Sequence, residues 1–137
     1  EYSTLIYSFL QGYYLNVVKM NIKSQVKKMD EMVSQGDIVN AVKVFFSNEA
    51  STSDYGNVRT DGKQQMIEKM EGFVSAIAKV KGIAHHFSIV EGNISTSEFT
   101  FQFDMKDGSE IFWHEIIRRI WNEQGHVISE EYFNAKA

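Results

Sequence analysis

Apolar residues follow two different spacings along this chain. Up to Val80 they recur at steps of three and four, which is typical of amphipathic helices. Beyond Val80 they alternate with polar residues, which is typical of half-buried strands. The pattern therefore predicts a helical section followed by a hairpin-linked sheet.

The helical section includes a segment ahead of Met20 that has its own apolar stripe. It predicts an additional amphipathic helix over residues 1–19, with a translated upstream leader as the alternative interpretation. Residues 20–137 are expected to form a single domain with three helices, because Gly36 ends one stripe and Asp61-Gly62 precedes another. A short strand pair is expected between the last two of these helices. Four longer strands are predicted at residues 81–90, 94–106, 109–121 and 127–133.

Two dipeptides, Asp107-Gly108 and Gly92-Asn93, are typical of two-residue hairpin loops and would set the register of the sheet. One face then collects Ala84, His86, Ser88, Phe99, Phe101, Phe103, Phe112, His114, Ile116 and Arg118. The other face collects His85, Phe87, Glu98, Thr100, Gln102, Trp113, Glu115, Ile117 and Arg119. We expect the first face to lie against the helices. A bulge would shift the register by one residue and exchange the faces.

His114 and His86 are the main candidates for chemistry on the first face. A neutral imidazole among phenylalanines can exchange a proton near neutral pH, although a buried histidine with a structural hydrogen-bond partner is the alternative. The two backbones are expected on the order of 12 Å apart, so both could line one cavity without touching. No third ligand is evident, so no metal site is predicted. The sequence has no phosphate loop and no dinucleotide fingerprint, so no cofactor is predicted either. The predicted lining of the cavity comprises His86, Phe99, Phe101, Phe112, Arg118 and Glu131.

Arg118 and Glu131 enter this set if the last turn, around residues 122–125, has an even length. They would then form a salt bridge at the open end of the cavity, or Arg118 would bind an anion while Glu131 acts as a base.

The second face carries Trp113, Trp121 and Phe87 among opposite charges. This mixture is typical of a dimer surface, with the ordinary outer face of a monomer as the alternative.

The composition narrows the function classes. A net charge of −4 without a basic block argues against nucleic-acid binding, and no apolar run approaches a membrane span. We therefore expect a cytoplasmic protein without a membrane partner. The chain has no Cys, which excludes disulfides and thiolate metal sites, and ten Phe, which suit strands and pocket walls.

The order of elements, together with several short motifs, resembles the nuclear-transport-factor-2-like superfamily, especially its SnoaL-like and polyketide-cyclase-like bacterial members. The motifs are Val44-Phe45-Phe46, Thr52-Ser53-Asp54-Tyr55-Gly56, Asp61-Gly62, Glu123-Gln124-Gly125-His126-Val127 and Glu131-Tyr132-Phe133-Asn134. Many members close with an Asp where this chain has Asn134, and an amide cannot act as a carboxylate base.

The resemblance implies an α+β fold of the cystatin-like type, in which a curved, cone-shaped mixed sheet packs on three or four N-terminal helices and encloses a pocket. It also implies a homodimer through the outer face of the sheet. Asp54 lies on the strand that often carries a pocket-facing acid, although it is equally a turn residue ahead of Tyr55-Gly56.

Three functions follow from these expectations. The first is the binding of a small hydrophobic molecule in a Phe-lined pocket. The second is a small isomerase, cyclase or dehydratase that uses His114 or Asp54 to move a proton. The third is a protein-interaction module whose surfaces are residues 1–19 and the outer face of the sheet. Because the fold is shared by proteins of all three kinds, it does not choose among them.

Overall fold

The computed structural model describes Ser8 and residues 22–136. The additional helix predicted over residues 1–19 lies outside the described residues, apart from Ser8, which is helical and exposed. Within the described part, no helix is long and apolar enough to cross a membrane.

Within the described residues, three helices cover one face of the sheet. The first, α1, spans residues 22–34 and buries Ile22, Val26, Met29 and Val33, which lie on one side of the helix. It ends as predicted at Gly36, whose φ of 83° permits the left-handed turn that closes a helix end. Helix α2 spans Ile38–Phe45 and α3 spans Lys63–Ser75.

Six strands of the described part form one curved, unclosed, mixed sheet. Their order across the sheet is β2-β1-β6-β5-β4-β3, and only the β1–β6 pair is parallel. The strand bounds are Phe46–Asp54 (β1), Val58–Asp61 (β2), Ile77–Glu91 (β3), Ile94–Met105 (β4), Glu110–Trp121 (β5) and Val127–Asn134 (β6). The core lies between this sheet and the helices, which confirms the predicted fold class.

The predicted register between β4 and β5 is wrong by one residue. Phe103 is opposite Ile111 instead of Phe112. The Met105 N–H donates to the Ser109 carbonyl over 2.9 Å, so the loop contains three residues, 106–108. Gly108 has a φ of 91° and supplies the left-handed residue with which such loops end. Every side chain of β5 consequently lies on the face opposite to the predicted one.

The β3–β4 register is correct near its turn and then shifts at a bulge. Ser88 is opposite Ser97, as the Gly92-Asn93 loop predicts. The bulge falls between His85 and Phe87, which leaves His86 without a partner residue on β4. The prediction that His86 lies opposite Phe99 is therefore wrong, because His85 occupies that position.

These two shifts fix the faces of the sheet. The inner face, toward the helices, carries His85, Ser88, Phe99, Phe101, Phe103, Trp113, Glu115, Ile117, Arg119 and Trp121. The outer face carries His86, Phe87, Glu98, Thr100, Phe112, His114, Ile116 and Arg118. The prediction for the phenylalanines of β4 is confirmed, whereas Trp113 and Trp121, which we expected on a dimer surface, lie on the inner face.

Candidate functional site

A cavity of about 240 Å³ lies between the helices and the inner face of the sheet. Most of its wall is apolar and comes from α1, α2, α3, β4 and β5. These residues are Met29, Val33, Ile38, Ala41, Val42, Met66, Met70, Phe73, Phe101, Phe103, Trp113 and Ile117. Its polar wall is formed by Asp54, Tyr55, Lys69, Glu115, Arg119, Glu130 and Tyr132. The arrangement can hold an apolar body with one polar region.

Glu115 is one of two buried acids in the cavity wall, the other being Glu130. Its side chain lies on β5 and is 5% exposed, and the Tyr55 hydroxyl donates a hydrogen bond to Oε2. Burial raises the pKa of Glu115; the Tyr55 hydrogen bond opposes that rise, and the charges of Asp54 and Glu130 add to it. A carboxyl group in this setting retains its proton at a higher pH than a free glutamic acid, which suits proton transfer.

Tyr55 reaches Glu115 from a strained turn after β1. Its φ of 54° is the only left-handed value of a non-glycine residue among the described residues. Such a conformation is costly for a bulky residue and persists only where surrounding contacts hold it. Burial, followed by the hydrogen bond to Glu115, raises the pKa of Tyr55 well above its ordinary value. Tyr55 therefore remains a hydrogen-bond donor throughout the physiological range.

Asp54 and Lys69 form an ion pair beside this couple. Lys69 lies on α3 and its ammonium contacts Asp54 Oδ2. The two side chains are partly exposed, at 27% and 32%, so the pair lies where the cavity meets solvent. Asp54 thus lines the cavity, but its carboxylate is already paired with a cation.

A buried charge network, Asp30–Arg119–Glu130, closes the wall behind Glu115. Arg119 donates from Nη1 to Asp30 Oδ1 over 2.9 Å and from Nε to Glu130 Oε2 over 2.7 Å. Ser88 and Ser97 complete the shell by donating to Asp30 Oδ2 over 2.6 and 2.7 Å. Burial alone would lower the pKa of Arg119, but the charges of Glu130 and Asp30 outweigh this effect and raise the pKa above its ordinary value. The guanidinium therefore stays charged.

Glu130 has spare hydrogen-bonding capacity. Its Oε1 atom is buried and has no hydrogen-bond partner among the described residues. Burial, followed by the Glu130 charge, raises the pKa of the neighbouring Tyr132. A buried acceptor without a partner is costly, and a ligand donor in the cavity could satisfy it, because Glu130 is part of the wall.

The structure brings only some of the predicted site residues to the cavity. Asp54 and Phe101 line it, and Phe99 is buried beside it, with its ring stacked on Phe101 at 5.4 Å. The expected positions of the others are wrong, because the three-residue loop and the bulge place them on the outer face. They are His114, His86, Phe112, Arg118 and Glu131. Arg118 and Glu131 do pair, at 3.2 Å, but outside the cavity.

The outer-face histidines are closer together than the predicted register allows. The rings of His86 and His114 are 5.6 Å apart, and His114 Nε2 lies 3.5 Å from Glu98 Oε2. The expectation that the two histidines are too distant for contact is therefore wrong. Both histidines were predicted to face the helices, and both lie on the outer face of the sheet instead.

Sequence reasoning missed the polar wall of the cavity apart from Asp54, namely Tyr55, Lys69, Glu115, Arg119, Glu130 and Tyr132. The strongest available signal was the alternation in β5 itself. Trp113, Ile117 and Trp121 fall in one alternating set and Phe112, Ile116 and Ile120 in the other, and the two tryptophans favour the first set only slightly as the buried face.

Known proteins resemble this chain in structure but not in sequence. No family model matches the chain, and no curated protein matches it. A proposed SnoaL-like polyketide cyclase from Mesorhizobium loti superposes with a TM-score of 0.73 at 18% identity, over 82% of this chain and 97% of the other. The chain has the nuclear-transport-factor-2-like fold.

Other solved structures with this fold carry different assignments. An NTF2-like protein of unknown function from Burkholderia pseudomallei has a TM-score of 0.68 at 15% identity, over 83% of this chain and 90% of its own. A proposed hydroxylase from Streptomyces galilaeus has a TM-score of 0.66 at 14% identity, over 85% and 90%. The fold alone therefore does not assign a function, which has to be argued from the cavity.

Proposed function

We propose that this protein binds one small, largely apolar organic molecule in the cavity between the helices and the inner face of the sheet. The observation that carries the proposal is an apolar wall with a few convergent polar groups at one end. That composition is typical of ligand sites, in which apolar walls provide affinity and a few polar groups fix orientation.

The size of the cavity restricts the ligand. About 240 Å³ lies slightly below the usual range for drug-sized ligands. An apolar cavity of about 150 Å³ is large enough for benzene. The expected ligand therefore has one or two rings and a single polar group, which would face Glu115 and Tyr55.

Ligand binding can be tested with the tryptophan that lines the cavity. Molecules with one or two rings, each bearing a carbonyl or hydroxyl, are titrated while the tryptophan emission is recorded, to which Trp113 in the cavity wall contributes, and native mass spectrometry identifies any copurifying molecule. Ala41→Leu places extra volume in the cavity wall and should abolish binding. His114→Ala is the matched control on the outer face and should leave binding unchanged. Equal loss in both variants, or binding that survives Ala41→Leu, would refute the cavity as the site.

An acid–base enzyme is the second candidate function, and the buried Glu115–Tyr55 couple favours it. When ionised, Glu115 could remove a proton from the carbon next to a ligand carbonyl and return it to another atom, which is an isomerisation. The cavity residue proposed for this step is Glu115, because His114 lies on the other face and Asp54 is paired with Lys69.

The enzyme hypothesis has its own measurement. Small cyclic ketones incubated with the protein in deuterated water should exchange their α-protons, as followed by NMR. Glu115→Gln keeps the shape of the side chain but cannot accept the proton, so it should reduce exchange about 100-fold or more. Glu110→Gln, an exposed glutamate at the start of β5, is the control. If ligands bind but exchange is the same in both variants, the protein is a binder without this chemistry.

We also propose that the chain forms a homodimer through the outer face of the sheet. Phe87, Phe112 and Phe133 are each more than two-fifths exposed, and exposed rings of this kind are typical of interfaces. Light scattering should give twice the chain mass. Phe112→Lys should shift the mass toward that of the monomer, whereas Val58→Lys, an exposed apolar position on β2, should not.

A further inference from the structure

The outer face of the sheet holds a cluster of three side chains from three neighbouring strands. His86 comes from β3, Glu98 from β4 and His114 from β5. One nitrogen or oxygen atom of each lies within 4.8 Å of the corresponding atoms of the other two. Neither the cavity nor its proposed ligand involves these residues.

Two local irregularities of the sheet assemble the cluster. The bulge at His86 breaks the inward–outward alternation of β3, so that His86 lies on the outer face. The three-residue loop does the same for His114, which is opposite Thr100 on β4. In a sheet with the two-residue loop, His114 would face the helices and the cluster would not exist.

The hydrogen bonding of the cluster is incomplete. His114 Nε2 is buried and has no hydrogen-bond partner among the described residues, and Glu98 Oε2 lies 3.5 Å from it. His86 Nε2 is 2.7 Å from Thr100 Oγ1. A buried ring nitrogen without a partner is costly, and a bound ion is one of the ways in which proteins satisfy such a group.

We propose that His86, Glu98 and His114 form a binding site for one divalent first-row transition metal ion, with Zn²⁺ as the reference ion. Two imidazoles and one carboxylate are a preferred donor set for such ions, whereas Mg²⁺ and Ca²⁺ prefer oxygen donors alone. Three protein ligands leave the fourth tetrahedral position for water or another donor.

One of the three distances between ligand atoms already fits a bound ion, and the other two lie within 4.8 Å. Ligand atoms bound to Zn²⁺ at about 2.1 Å with tetrahedral angles lie roughly 3.4 Å from one another. The His114–Glu98 distance of 3.5 Å already has this value. In the single chain His86 is exposed and can turn from Thr100 toward the ion, after which the Thr100 hydroxyl is free to form another hydrogen bond.

Calorimetric titration of tag-free, chelator-treated protein with ZnCl₂ tests the site. One ion should bind per chain, and MgCl₂ should produce no binding heat. His86→Ala and His114→Ala should each weaken Zn²⁺ binding about 10-fold or more, since even residues that only support metal ligands cost that much. Glu98→Gln should weaken it as well. His126→Ala is the matched control, because His126 lies at the β5–β6 turn and should leave the affinity unchanged.

A spectroscopic measurement distinguishes this site from nonspecific binding. Co²⁺ in a site with nitrogen and oxygen donors should give visible absorption bands of four-coordinate type in the wild type, and these bands should be lost in His86→Ala/His114→Ala. Thermal melting verifies that each variant is folded, and the side-chain-conserving Glu98→Gln provides the test if a histidine variant is not. Absence of Zn²⁺ binding by the wild type, or equal affinity in the double variant, would overturn the proposal.

Discussion

Adjacent arginines on β5 have opposite environments. The Arg119 side chain is 1% exposed and bonds to Asp30 and Glu130, whereas Arg118 is 35% exposed and pairs with Glu131 at 3.2 Å. The residue type is the same and the partners are carboxylates in both cases, whereas the face of the strand and the number of partners differ. The difference shows that one residue of register decides whether an ion pair is part of the interior or of the surface.

The largest expected effect comes from removing the buried cation. Arg119→Met would leave the carboxylates of Asp30 and Glu130 buried without their partner, which typically destabilises a protein by about 3–5 kcal/mol. Urea denaturation of the variant measures the loss in the free energy of unfolding. Arg118→Met is the matched control and should cost less than about 1 kcal/mol, because exposed pairs contribute little. Similar losses in both variants would contradict the assignment of faces.

A subtler contrast uses the neighbouring isoleucines of the same strand. Ile117 is 1% exposed and lies on the inner face, while Ile116 is only partly buried on the outer face. Removing one methylene from Ile117, as Ile117→Val, should destabilise the protein by about 0.5–1.5 kcal/mol. Ile116→Val should have a smaller effect in the same denaturation experiment. The reverse order would indicate the two-residue loop.

The smallest effect is a change in how stability depends on pH. Burial raises the pKa of Glu115 above its ordinary value of 4.5, so the folded protein holds this proton to a higher pH than the unfolded chain. The resulting stabilisation is complete below the unfolded pKa and is lost as the pH rises through the folded pKa. Glu115→Gln should remove that loss, so the variant should gain stability relative to the wild type as the pH rises from about 4 to about 8.

The control for this titration is Glu110→Gln, at the exposed start of the same strand, with a side chain that is 76% exposed. Its stability difference from the wild type should stay constant across the same pH range. A Glu115→Gln difference that is equally flat would mean that Glu115 is not perturbed by burial.

Much of the fold could be predicted from the sequence. The switch from helical to alternating spacing locates the three helices and the hairpin-linked sheet, and Phe99, Phe101 and Phe103 were correctly expected to face the helices. These features depend on local spacing and on the burial of large apolar side chains, which a sequence displays directly.

The site was harder to predict because it depends on the length of one loop. Residues 106–108 include Asp107-Gly108, which fits a two-residue loop, but Gly108 is equally suited to end a three-residue loop in the left-handed conformation. Both alternating sets of β5 contain large apolar residues and one arginine, so hydrophobicity alone separates them weakly. The choice depends on how well Trp113 and Trp121 pack against the helices, and that is a tertiary effect.

Tyr55 and Lys69 belong to another class of unpredicted residue. They reach the cavity from a turn after β1 and from α3, so no spacing rule connects them with Glu115 on β5. The left-handed conformation of Tyr55 is held by its surroundings and contradicts the local preference of a tyrosine. Asp54 alone was anticipated here, and it was anticipated from the family resemblance.

Disulfide trapping across β4 and β5 tests the central claim, the register that separates the cavity face from the metal-binding face. The chain contains no Cys, so any disulfide that forms must join the two engineered cysteines. Gln102 and Phe112 are direct partners on the outer face, and Gln102→Cys/Phe112→Cys should cross-link under mild oxidation because directly opposed positions approach disulfide geometry. Gln102→Cys/Trp113→Cys, the pair expected for the two-residue loop, should remain reduced, since its side chains lie on opposite faces. Cross-linking of the second pair and not the first would contradict the account.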